Sequence, residues 1–235
     1  MKKFINIIAL CCLFTACDKT DNAELLESMF LGESTNGKQS QNDYGNIVID
    51  DNIYAQNFQN PQNIKEWTIG SNDQATFSLS GGVYQIQAKK DFYFWQTFDI
   101  NDSKDFQIEV SMSCNFLSGG TSLGLVFGVN NTRKSFGSFM YSSEIPLYIG
   151  HYDGSAWQEW FTKKGSPYDD TNYRISAHLY TIRKTGNKVS FYIDERFLYS
   201  TDYNFKINNI GFYLTKGGTI MVDYIWIDYI SPISK

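Results

Sequence analysis

Apolar residues recur with a period of two along most of the chain, most plainly in the stretch Leu179–Ile230. There Val189, Phe191 and Ile193 share one face, while Ser190, Tyr192 and Asp194 share the other. That period belongs to a half-buried strand. Thr185-Gly186-Asn187-Lys188 separates two runs rich in β-branched and aromatic residues, which predicts a hairpin. Upstream, Tyr84, Ile86 and Ala88 alternate, then Phe92 and Phe94, then Phe106 through Cys114 at every second position. Leu123, Leu125 and Phe127 face one way, with Ser122, Gly124, Val126 and Gly128 opposite. Small residues on that second face would let another layer or a ligand approach closely. Asp153-Gly154 predicts a turn between strands Leu147–Tyr152 and Ala156–Phe161. The last run, Thr219–Ile230, is apolar on both faces and is expected to be covered on both sides. The count is about twelve strands with no helix after residue 50. The fold class is therefore all-β: a two-sheet antiparallel β-sandwich. No fixed period recurs, which excludes a propeller or a solenoid.

Composition agrees with this pattern. Aromatics make up 17% of the 235 residues and prolines number only 4. Tyr- and Phe-rich, proline-poor chains favour sheets.

The start of the chain reads differently. Met1-Lys2-Lys3 is a basic opening, and Phe4–Phe14 is an apolar run too short to span a bilayer. Leu13-Phe14-Thr15-Ala16-Cys17 resembles a bacterial lipobox. The resemblance implies a signal peptide over 1–16, cleavage before Cys17 and lipidation of Cys17. The chain would then sit in the bacterial cell envelope as a membrane-anchored lipoprotein, on the periplasmic face or the cell surface. An ordinary signal peptide is the plainer alternative. Residues 17–52 are polar and read as a tether, within which Ala23–Phe30 offers either a short amphipathic helix or a sticky spot in a linker. The folded domain is expected over 53–235.

Processing also decides the cysteines and the charge. Cys11 and Cys12 leave with the signal and Cys17 takes lipid, so only Cys114 remains and no internal disulfide can form. Cys114 keeps phase with Phe106–Met112 and reads as a buried structural thiol. Removing Lys2 and Lys3 leaves 18 basic against 25 acidic side chains, a formal −7. With no basic run, nucleic acid is excluded as a partner.

Several blocks together carry a family resemblance. Phe58, Trp67 and Gly82-Val83-Tyr84 come first, then Asp105–Val110 and Gly124–Gly128. His178–Asp194 forms a strand–turn–strand block, and Ile210–Tyr213 with Val222–Ile227 closes the series. This order resembles the concanavalin A-like lectin/glucanase group, with its LamG-like jelly-roll domains, over roughly Ile53–Tyr229. The resemblance implies a jelly roll. It departs from the group at Asp194-Glu195, where Asn-Gly is usual. Glycine eases a positive-φ turn, so Glu195 leaves the turn type open.

Candidate chemistry is sparse. Glucanases of this fold carry Glu-x-Asp-x-Glu on one strand, which sets its carboxylates on one face. No such triplet exists here: Glu109 stands among serines, and Asp223 and Asp228 fall on opposite faces of a regular strand. His151 keeps phase with Leu147 and Ile149 and reads as packed, and His178 reads as structural. Two histidines without a cysteine partner make no zinc site, and no calcium loop motif appears. Asp169-Asp170 offers calcium a contact but reads as a solvated acidic turn, so no cofactor is predicted. The aromatic hairpin is the best candidate surface, with Tyr148, Tyr152, Trp157 and Trp160 as its ligand-binding residues. Trp157 and Trp160 differ in parity, so one should enter the core and the other should face outward. Packing of both tryptophans under a loop is the competing reading.

Three functions fit these features. The first is a membrane-anchored, non-catalytic carbohydrate- or ligand-binding lipoprotein. Its partners would be a glycan or protein ligand, and a lipid membrane through Cys17. The second is a protein-interaction or structural envelope lipoprotein, or a toxin inhibitor. The third is a glycoside hydrolase or lyase with atypical catalytic residues.

Overall fold

The computed structural model describes residues 44–60, 64, 66–116, 122–132, 134–142, 147–165, 167, 168 and 170–233. The signal-like start, Cys17, the Ala23–Phe30 segment, most of the tether and Asp169 lie outside the described residues.

Among the described residues, fifteen strands pair antiparallel in two sheets. The larger sheet holds β1 (Ile47–Gln56), β2 (Gly70–Ser71), β3 (Ala75–Ser80), β4 (Val83–Ala88) and β6 (Phe106–Phe116). It is completed by β11 (His178–Thr185), β12 (Lys188–Ile193), β13 (Arg196–Asp202) and β15 (Gly218–Pro232). Its order is β13-β12-β11-β6-β15-β4-β3-β2, with β1 on the same flank of β15 as β4. The smaller sheet holds β5 (Phe92–Thr97), β7 (Ser122–Asn130), β8 (Ser135–Ser142), β9 (Leu147–Tyr152), β10 (Trp157–Lys163) and β14 (Asn209–Leu214). Its order is β10-β9-β8-β7-β14-β5. Among the described residues one five-residue helix, α1 (Thr171–Ile175), precedes β11, where the sequence predicts no helix; Asp170 caps its start.

The alternating apolar residues form the layer between the sheets. Phe106, Ile108, Val110, Met112 and Cys114 of β6 are all fully buried, as the period predicts. Phe127 of β7 meets Phe191 of β12 with ring centroids 5.5 Å apart, and Phe139 of β8 meets Tyr180 of β11 at 5.3 Å. Phe58, Trp67 and Tyr84 close one end as an aromatic cluster, with the Trp67 indole donating to the Tyr54 hydroxyl at 2.8 Å. Buried aromatic pairs of this kind contribute about 0.5–1.5 kcal/mol each beyond the area they remove from water. Burial pushes the Cys114 thiol up to about 12, consistent with an inert core residue.

Three details differ from the pattern. β1 begins upstream of residue 53, because Ile47-Val48-Ile49 pairs with the end of β15. Its alternation is broken by register shifts between Ile49 and Asp51 and between Asn52 and Tyr54, which disguise it as tether. β15 is central in its sheet, yet its outer side is open: Trp226 is 41% exposed. A bulge between Val222 and Tyr224 shifts the parity of β15, so Asp223 and Asp228 share the outer face rather than opposing one another.

Candidate functional site

The outer faces of the two sheets have opposite characters. On the larger sheet the outward residues are polar and tied to one another. The Tyr44 hydroxyl and the Gln107 amide both donate to Glu109. The Arg183 guanidinium donates to Gln107 at 2.7 Å and to the Tyr44 carbonyl at 2.9 Å, and it lies over the rings of both Tyr44 and Tyr192. Asn52 donates to Asp228 at 2.6 Å and Ser111 to Asp223 at 3.0 Å. Burial raises the carboxyl pKa of Glu109, and neighbouring Asp228 adds to it against the Tyr44 bond. Burial likewise raises Asp223 and Asp228. Each carboxylate already has a partner from a neighbouring element, which is the arrangement of a structural network.

The outer face of the smaller sheet is aromatic. Alternation sends Phe92 and Phe94 of β5 inward and leaves Tyr93 and Trp95 outward, stacked at 5.6 Å. Tyr93 then meets Phe136 of β8 at 5.4 Å. Phe136 touches Tyr152 of β9 at 5.8 Å and Trp157 of β10 at 5.3 Å. Trp157 packs against Tyr152 at 5.2 Å and Tyr148 at 6.0 Å. The rings therefore run without a gap from one edge strand to the other. Tyr93 is 38% exposed and Trp157 51%, while Phe136 between them is 7% exposed.

Glycines on the central strands permit this arrangement. The outward positions between β5 and β8 include Gly211 of β14 and Gly124 and Val126 of β7. A Cβ on Gly211 would overlap the Phe94 carbonyl oxygen and come 2.5 Å from Trp95 Cα. A Cβ on Gly124 would come 2.5 Å from Met140 Cβ. The strands approach closely there, and the larger rings from either side lean over the small residues.

Of the four hairpin residues singled out in the sequence, Tyr148, Tyr152 and Trp157 come together on this face. Trp160 does not. Alternation from Trp157 turns it inward, as the opposed parity of the two tryptophans requires, and there it stacks on His151 at 5.8 Å and packs against Phe205 at 5.3 Å. His151 is accordingly a packed side chain whose pKa burial lowers. His178 sits elsewhere, bonded at Nδ1 to Asp194 at 2.6 Å and at Nε2 to the Tyr173 carbonyl at 2.7 Å. Tyr93, Trp95 and Phe136 were not singled out. Their signal was present, since β5 carries aromatics at both parities.

The face offers little acid–base chemistry. The outward positions of β8 are Phe136, Ser138, Met140 and Ser142, none of them a carboxylate. Glu159 of β10 is the one carboxylate among the described outward positions of this sheet. Among the described residues no group of three or more His, Cys, Asp or Glu is placed to hold a metal ion.

No protein-family model matches the chain, and no curated protein matches it in sequence. Solved structures do match. A Bacillus subtilis protein of unknown function with a galectin-like fold aligns with a TM-score of 0.57 at 12% identity, over 79% of this chain and 99% of that one. A structure from work on endo-acting O-glycanases expressed by human gut microbiota to initiate mucin breakdown aligns at 0.54 and 13%, over 76% and 99%. A Bacillus licheniformis β-glucanase aligns at 0.51 and 12%, over 76% and 98%. At these identities the likeness is one of fold: the chain is a concanavalin A-like, galectin-like jelly roll.

Proposed function

We propose that this protein is a non-catalytic glycan-binding module whose binding surface is the aromatic outer face of the six-stranded sheet. The observation that carries this is the unbroken run of rings from Trp95 to Tyr148, exposed at Tyr93 and Trp157. Sugar rings stack their apolar faces on such side chains, while neighbouring polar groups take the hydroxyls. Glycoside hydrolysis ordinarily needs two carboxyl groups flanking the bond, and Glu159 as the one carboxylate among the described outward positions of this face supports binding over cleavage. A carbohydrate-binding module of a Lactobacillus casei phage protein and glycan-cleaving enzymes share this fold, in keeping with a sugar ligand. Titration of oligosaccharides with tryptophan fluorescence tests the proposal. Saturable quenching that is lost in Trp157→Ala supports it, and no response to plant, host or bacterial glycans rejects it.

The anchor belongs to the same reading. Lipid on Cys17 would hold the module at the bacterial envelope, since several acyl chains at about 0.8 kcal/mol per buried CH₂ anchor stably. Metabolic labelling with a fatty-acid analogue, lost in Cys17→Ser, tests that part.

A second reading rests on the other face. The raised carboxyl groups of Glu109, Asp223 and Asp228 make a hydrolase site there the alternative. It requires release of reducing sugar from a polysaccharide, abolished by Glu109→Gln.

A further inference from the structure

The aromatic face has a direction, a length and a charge, and each restricts what can lie on it. Its rings begin on β5, an edge strand, and end on β10, the opposite edge. The ring centroids step by 5.6, 5.4 and 5.3 Å from Trp95 through Tyr93 and Phe136 to Trp157, so these two ends lie no more than about 16 Å apart, a span of a few sugar units. Trp95 and Tyr93 mark one end, and Trp157 and Tyr148 the other. Both ends sit at sheet edges, so a ligand can run past either one.

Charge narrows the class. Among the described residues, no Lys or Arg points outward from these six strands, and Glu159 is the only outward charged side chain. At the hairpin beside it, Asp153 accepts from the Ser155 and Ala156 amides at 2.8 and 2.9 Å, and these bonds hold its carboxyl well below the usual range. Asp91 stands near Tyr213 at the other end and helps raise that phenol, after burial. Exposed Lys90, Lys134 and Lys163 also border the rings, so what favours an uncharged ligand is that the outward positions beneath the rings hold no cation to pair with an acidic sugar.

Resting on the glycan-binding reading above, we infer that the ligand is an internal stretch of an uncharged polysaccharide, laid across the strands from Trp95 to Trp157, rather than a chain end or an acidic glycan. Recognition is then spread over several sugar units, each contributing modestly.

The test is a chain-length series on the full-length chain. Neutral oligosaccharides of one to six units from β-glucan, galactan and xylan would be titrated beside polygalacturonate and a sulfated galactan. For the neutral polymer that binds, affinity should rise at least tenfold from the disaccharide to the pentasaccharide and then level. Trp95→Ala and Trp157→Ala, at opposite ends, should each weaken the pentasaccharide about tenfold or more, and Trp157→Phe should restore part of the loss. Melting curves confirm that each variant is folded. A disaccharide that binds as tightly as the pentasaccharide overturns the inference and leaves glycan binding standing. So does an acidic polymer as the tightest ligand, or full affinity in the Trp95→Ala variant. Failure of every glycan to bind removes the functional reading itself, and the inference with it.

Discussion

Tyr93 of β5 and Phe136 of β8 meet ring to ring at 5.4 Å although β14 and β7 lie between their strands. The contact makes Phe136 the buried joint between the two exposed ends of the aromatic face. Phe136→Ala is expected to lower stability by about 3 kcal/mol and to weaken glycan binding as well. Trp157→Ala, at a half-exposed position, should change stability by under about 1 kcal/mol and act on binding alone. Urea unfolding and fluorescence titration on the same two variants separate these effects.

Gly211 is expected to tolerate no side chain. Its Cβ would meet the backbone of Phe94 and Trp95, which has no rotamer by which to yield. Gly211→Ala should cost about 1–3 kcal/mol or more by overpacking. It should also displace Tyr93 and Trp95, so affinity falls even where the variant stays folded. Denaturant midpoints and binding read on one preparation check this.

The turn between β12 and β13 predicts a stabilising change. Asp194 and Glu195 have φ of 48° and 65°, both in the left-handed region, as in a type I′ hairpin turn. Glu195→Gly should raise stability by about 0.5–1 kcal/mol. Asp194→Gly should do the reverse, because its carboxylate accepts from the Leu179 amide at 2.9 Å and holds His178 at 2.6 Å. Losing those bonds costs about 1–3 kcal/mol. Opposite shifts of the melting temperature at adjacent positions are the expected outcome.

The polar face predicts a pH dependence. Burial raises Glu109 in the folded state, with Asp228 adding to it, so the native chain keeps that proton to a higher pH than the unfolded chain. The resulting stability is fully present below the ordinary carboxylate range and is lost as pH rises through the raised value. Glu109→Gln keeps an acceptor for Tyr44 and cannot ionise. It should therefore gain on the wild type as pH rises through that window, and the two should converge in acid. Melting temperatures across pH 3–8, a range of about five units, decide the point.

How much of this could be read in the chain depends on where alternation was regular. Phe106–Cys114 and Val189–Ile193 gave their buried faces directly, and the sandwich followed from them. Bulges defeated the same rule at Asp223 and within β1, since an extra residue inverts parity without any mark in composition. Trp157 was legible as half of a pair with opposed directions, but parity alone did not say which member faced outward. Tyr93 and Trp95 were passed over because Phe92 and Phe94 already filled the inward phase. The aromatic run became visible only when β5 was seen to share a sheet with β8, β9 and β10, a matter of topology that local sequence does not carry.

The placing of β15 has a consequence for how the protein comes to exist. This last strand lies between β6 on one side and β4 and β1 on the other, and its end pairs with the beginning of β1. Until it arrives, none of those three earlier strands has its neighbour on that side. The chain therefore cannot assemble its large sheet in step with synthesis. Pairings so distant in sequence close slowly. A polypeptide built this way closes its large sheet only once residues 218–232 are free to enter between strands made long before them.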